Sequence, residues 1–183
     1  MKILFTFIIV FLISISSPNS AEFSSLFGIK LLINVENYFN IDVIERTKYK
    51  NDTTIENFFD VEVTNIITKK SPQINNYVVT IDNDGTIHSI SGYKLVDSVS
   101  NCLEKTLPSI LSIFEKKYSL NFEYEESNST FANAYQYGTW TKDSNILRLI
   151  CNQDIESGSV WFTVNYESLV LIEEINKYYD SGF

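Results

Sequence analysis

From Tyr77 to Ile90 the chain alternates: Tyr77, Val79 and Ile81 fall on one side, Asp82-Asn83-Asp84-Gly85 interrupts, and Thr86 to Ile90 resumes with β-prone residues. Alternation at period two marks a half-buried strand, and Asp-Gly tolerates the positive φ of a tight turn, so this stretch predicts a β-hairpin. After a break at Ser91-Gly92 the period changes. Val99, Leu103, Leu107, Ile110, Phe114 and Tyr118 recur every three or four residues, the spacing of a principal amphipathic helix. Pro108 lies inside that run, so the helix either kinks there or starts late, with Thr106 as cap and a looser turn around Cys102.

The same reading divides the rest of the chain. Leu26, Ile29, Leu32, Ile33, Val35 and Tyr38 approach helical spacing and predict a helix over 25–39, with Ser24 or Ser25 as cap. The polar stretch 47–57 predicts a loop, and Phe59, Val61 and Val63 a strand over 58–63. Lys69-Lys70-Ser71-Pro72 marks an irregular connection. Leu120, Phe122 and Tyr124 alternate with Asn121, Glu123 and Glu125 as a half-buried strand does. Three more strands are expected over 134–141, 145–151 and 159–166, with Leu147, Leu149 and Cys151 on one face. Ser168 caps a last helix whose stripe is Leu169, Ile172, Ile175 and Tyr179. This order predicts the α+β class: a mostly antiparallel β-sheet with helices packed on one face.

The N-terminus stands apart from this pattern. Met1-Lys2, the apolar run Ile3–Ile15 and the small polar stretch Ser16–Ala21 have the tripartite layout of a secretory signal peptide. As a helix, that run reaches roughly 20 Å, short of the ~30 Å hydrocarbon layer, so export is expected rather than a membrane span. Asn19 fits the small-x-small cleavage rule poorly, and an uncleaved tether is the alternative. The expected organisation is a signal peptide over 1–21 and one domain over 22–183, periplasmic or secreted.

Charge and cysteines sharpen this. The chain has a formal charge of −9; residues 1–21 hold Lys2 and no acid, so the remainder carries −10. Nucleic acid is bound by neutralising phosphates with Lys and Arg, and no basic patch exceeds a Lys-Lys pair, so a polyanionic partner is excluded. A cationic partner fits better. Cys102 and Cys151 are the only cysteines. An even pair in an exported chain predicts a disulfide that braces the fold. With no Cys-x-x-Cys and one distant histidine, neither redox exchange nor a zinc site is expected.

Reactive centres are scarce. His88, the only histidine, lies in the second hairpin strand and reads as an ordinary strand residue; no Gly-x-Ser-x-Gly elbow supports a serine triad. The Asp82–Gly85 stretch fails as a calcium loop, because Thr80 and Ser91 would occupy positions that need carboxylates. Glu123, Glu125 and Glu126 with Asp143 and Asp154 leave one enzymatic route open, the paired carboxylates of a polysaccharide hydrolase. No cofactor motif is present. Among the C-terminal aromatics, Tyr135, Tyr137 and Trp161 alternate with apolar or small positions and are the candidates for a binding surface. Asn51-Asp52-Thr53 and Asn128-Ser129-Thr130 fit the glycosylation sequon.

Phe27-Gly28-Ile29-Lys30-Leu31, the Cys102 helix ending in Glu115-Lys116-Lys117-Tyr118, and the strand ending in Cys151, followed by Val160–Tyr166 and a closing helix, resemble a type of small bacterial exported protein. The resemblance implies an exported α+β domain with a helix-to-strand disulfide, and no activity or functional residue. The expected function is therefore an exported, non-enzymatic domain that binds a protein or a small ligand. The alternative is a carboxylate-dependent polysaccharide hydrolase.

Overall fold

The structure, a computed structural model, describes residues 22–50, 55–128 and 132–180. The expected signal peptide and the sequon at Asn51 lie outside the described residues, as do Ser129 and Thr130 of the second sequon. Eight strands form one antiparallel sheet: β1 (Lys48–Tyr49), β2 (Phe58–Glu62), β3 (Asn76–Asp82), β4 (Ile87–Val96), β5 (Glu123–Asn128), β6 (Ala132–Trp140), β7 (Ile146–Asp154) and β8 (Val160–Glu167). Their spatial order is β1-β2-β3-β4-β8-β7-β6-β5. Two meanders thus meet at the β4–β8 pair. Helices α1 (Ile41–Thr47), α2 (Val99–Asn101), α3 (Leu107–Tyr118) and α4 (Leu169–Asp180) complete the fold.

The helical run from Val99 to Tyr118 carries the chain from the centre of the sheet to its far edge. Four strand spacings at about 4.8 Å require roughly 19 Å, which twenty helical residues at 1.5 Å rise cover. The run is not uniform. Cys102–Thr106 is a π turn, in which the Leu107 N–H donates to the Cys102 carbonyl. Pro108 has no N–H to offer the preceding turn, and the backbone widens just ahead of it. Thr106 is therefore not the cap; Ser98 is, its hydroxyl accepting from the Asn101 N–H at 3.1 Å. Ser119, in the left-handed region at φ 53°, ends the helix.

Alternation gives the sheet one dry face. Val79, Ile90, Tyr166 and Leu147 are paired in register across β3, β4, β8 and β7, and all are buried. Two steps along the same face, Phe162 pairs with Cys151. The helix lays Cys102, Leu107, Ile110 and Phe114 on this face, and Cys102 is joined to Cys151 with the two Cα atoms 6.0 Å apart. Both cysteines are buried. The expected sheet, disulfide and helix packing are present in α1 to α3. The last helix takes the other side: Leu171 is buried, and with Ile175 it borders Phe58, Thr80, Ser91 and Asn165, whose positions alternate away from the dry face.

Several boundaries differ from the sequence reading, each for a physical reason. Residues 25–39 do not form the expected helix. Phe27 (φ 52°), Gly28 (φ 82°) and Leu32 (φ 58°) turn the chain, which then bonds to the hairpin: Leu32 N–H to the Ile87 carbonyl at 2.8 Å and Val35 N–H to the Gly85 carbonyl at 2.8 Å. Leu26, Ile29, Leu31, Val35 and Phe39 fill the core edge as an irregular strap, while Leu32 and Ile33 stay exposed, and the segment's helical part is a 3-10 turn at Val35–Asn37. The loop expected over 47–57 contains β1, and α1, capped by Asn40, precedes it. Strand β4 passes straight through Ser91-Gly92. A Cβ on Gly92 would sit 2.7 Å from the Phe27 ring, so the glycine admits that ring rather than breaking the strand. Strand β5 starts at Glu123, because Leu120 and Phe122 pack on the core before the ladder begins. In α4 Leu171, not Leu169, is the buried anchor, and the side chain of Tyr179 lies outside the described residues.

The 49-residue separation of the two cysteines makes the disulfide a large entropic restraint on the unfolded chain. The Cys102→Ala, Cys151→Ala double variant is expected to lose about 4 kcal/mol in urea unfolding and to melt roughly 10 °C lower. A loss below about 0.5 kcal/mol would contradict the bracing role.

Candidate functional site: the open face of the sheet

The face opposite the core is polar because every strand that sends an apolar residue inward sends its neighbour outward. Register aligns these outward residues in rows. One row crosses Tyr49, Asp60, Thr80, Ser89 and Glu167. The next crosses Ser91, Asn165, Arg148, Gly138 and Glu123, and a third crosses Tyr93, Thr163, Ile150, Gln136 and Glu125. Helix α4 covers only part of the first two rows. Half-open clefts on it include one of about 450 Å³ between Glu123, Glu125, Gln136, Trp140 and Arg148, and one of about 300 Å³ between Asp60, Ser89, Asn165 and Glu167.

The electrostatics of this face are dominated by acids. Glu167 is buried, and burial pushes its proton affinity above the ordinary glutamate value against the pull of the Arg148 guanidinium, which donates to its Oε2. Burial likewise lifts Asp60, although the Thr80 hydroxyl donates to its carboxylate at 2.7 Å. Burial raises the phenols of Tyr49 and Tyr93, and the nearby charges of Asp60 and Glu62 raise them further. The one guanidinium on the face is thus answered by Glu167, whereas Glu62, Glu123 and Glu125 keep its outer parts negative. Asn165 Oδ1 is buried without a hydrogen-bond partner at the rim of the smaller cleft. Such an acceptor suits an N–H or O–H donor.

The residues singled out in the sequence separate on this frame. Tyr135 and Tyr137 pair with Cys151 and Leu149 on the dry side and pack against the core. Trp161 pairs with Leu95 and Asn152 on the open side, edge-on to Tyr93 with ring centroids 5.8 Å apart. The three aromatics therefore do not form one surface. Of the candidate acids, Glu123 and Glu125 share the larger cleft, and Gln136 donates to Glu125 at 2.8 Å. Glu126 turns the other way and accepts from the Tyr124 hydroxyl, a bond that pushes that phenol up to about 12. Asp143 lies in the turn before β7 and Asp154 is its last residue, at opposite ends of a strand about 27 Å long at ~3.4 Å per residue. Asp154 accepts from the backbone and hydroxyl of Ser157, which holds it below the usual aspartate value.

Asp82, His88 and Ser168 meet although nothing in the sequence links them. His88 Nε2 lies 2.9 Å from Asp82 Oδ2, and its Nδ1 lies 3.1 Å from the Ser168 hydroxyl. The set has the composition of a hydrolytic triad and the setting of a structural one. His88 and Ser168 are buried, and Ser168 Oγ also accepts from the Leu171 N–H as the cap of α4. The other oxygen of Asp82 accepts from the N–H groups of Asp84 and Thr86, closing the hairpin turn. The network therefore fastens the hairpin to the last helix. Among the described residues no three His, Cys, Asp or Glu side chains converge as a metal-holding group. Comparison with protein-family models, curated proteins and solved structures finds no match to this chain.

Burial opposes ionisation of Asp82, but the bonds from His88, Thr86 and Asp84 outweigh it and hold the carboxyl below its ordinary 3.8. A lowered carboxyl contributes stability that is present above its unfolded value and lost as pH falls through its folded one. The stability gap between the wild type and Asp82→Asn should therefore be widest well above pH 3.8 and narrow as the pH falls below it in urea titrations. A gap independent of pH would show that the network does not rest on the carboxylate.

Proposed function

We propose that this chain is an exported, non-enzymatic binding domain whose open sheet face receives a cationic, hydrogen-bond-donating partner, either a protein or a small ligand. The observation that carries the reading is the unequal finish of the two faces. One is largely covered by helices and braced by the disulfide, and the other is left polar and negative beyond the reach of α4. Surfaces of one sign attract and orient partners of the other.

Export is supported by the leader pattern and by a disulfide of the kind that persists in oxidising compartments. Among the described residues no helix is long and apolar enough to cross a membrane. The hydrolase reading has one support, the shared cleft of Glu123 and Glu125. Both stand exposed on the same strand, two residues apart, whereas a hydrolase sets its carboxylates on either side of a bound glycosidic bond.

An amide-resolved NMR titration tests the reading with octalysine, polyglutamate and maltohexaose. Octalysine is expected to shift amides of Gln136, Arg148 and Thr163, and polyglutamate to leave them in place. Shifts confined to the α3 side, or equal response to both charged polymers, would contradict it. Release of new reducing ends from the saccharide would favour the hydrolase.

A further inference from the structure

The open face ends at β5, and β5 is also an edge of the sheet. It is bonded to β6 along its whole length of six residues and to no strand on its other side among the described residues. In an antiparallel ladder every second residue of an edge strand turns its N–H and C=O outward, which is a ready template for another strand. Natural edges are blunted by charged side chains, lysine above all, by proline, bulges or shortness. The other edge, β1, is only two residues long. β5 has no proline or lysine and pairs without a bulge, and its charges are all of one sign: Glu123 and Glu125 on the open face, Glu126 on the other.

That pattern selects the occupant. Two copies of β5 side by side would set glutamates against glutamates, which destabilises a ladder, so self-association through this edge is disfavoured. An extended segment with lysine or arginine at alternate positions would instead place a cation beside Glu123 and another beside Glu125, each within reach of the 450 Å³ cleft that those two residues line. We propose that β5 takes up a lysine- or arginine-rich extended segment of another protein by strand addition. Main-chain bonds to the edge supply the affinity, and the glutamate pair supplies the charge selection. The inference rests on the binding reading of the open face and names its partner.

The probe is acetyl-(Lys-Thr)4-amide, compared with an analogue methylated at every backbone nitrogen. The methylated peptide keeps the charges and loses every strand-pairing donor. The parent peptide is expected to slow hydrogen exchange of β5 amides, and the methylated analogue to bind at least about 10-fold more weakly by calorimetry. The Glu123→Gln, Glu125→Gln double variant, altered only at exposed positions, should bind the parent roughly 5- to 10-fold more weakly. Equal affinity for the two peptides would overturn strand addition and leave the open-face reading standing. Unchanged affinity in the double variant would overturn the charge selection. Octalysine shifts on the open face, with no β5 protection by the peptide, would place the partner elsewhere on that face. Silence from every cationic probe would remove both readings.

Discussion

Strand residues cannot all face inward, and this chain resolves that constraint with a single dry surface. Its eight strands pool their inward positions on one side, and one helical crossover closes most of it. The Cys102–Cys151 bond fixes that crossover to the strand it lies on. It joins the middle of β7 to the π turn, the part of the helix where Pro108 prevents regular bonding. The tether thus sits where the helix has least support of its own. Because the two meanders meet only at β4 and β8, a crossover fixed over β8 and β7 also holds the two halves of the sheet to one core.

The opposite face follows from the same alternation. It has too few apolar residues to be dry, and α4 covers part of it beside the smaller cleft, where Leu171 and Ile175 border Phe58, Thr80 and Asn165. The Asp82–His88–Ser168 network anchors the start of that helix, and the buried histidine ties it to the hairpin turn. Beyond α4 the polar rows run uncovered to the β5 edge. On the proposed binding role, affinity for a partner and stability of the fold fall on different faces, and substitutions on one need not disturb the other.

Much of this was legible in the sequence, for reasons that can be named. The hairpin at Asp82–Gly85, the helical stripe from Val99 to Tyr118 and the face shared by Leu147, Leu149 and Cys151 are local patterns, and local patterns survive folding. The segment 25–39 misled because its apolar spacing suits a helix, whereas its backbone partners lie some fifty residues away in the hairpin. Ser91-Gly92 misled because the reason for the glycine, the Phe27 ring, is equally remote. The open face was hidden for the same cause. Asp60, Arg148, Asn165 and Glu167 sit on three strands, and only the register brings them together. Of the three aromatics, Trp161 alone falls on the open side, while Tyr135 and Tyr137 take the core side of the same alternation; all three are half-buried.

The account stands or falls on the inequality of the two faces, which hydroxyl-radical footprinting of the folded protein reads directly. Trp140 and Tyr49, 56% and 42% exposed, should be oxidised readily, while Phe162 and Tyr166, at 0% and 1%, should stay protected until the protein is unfolded. Comparable labelling of both sets in the native protein would mean that neither face is sealed, and the division of labour between them would be wrong.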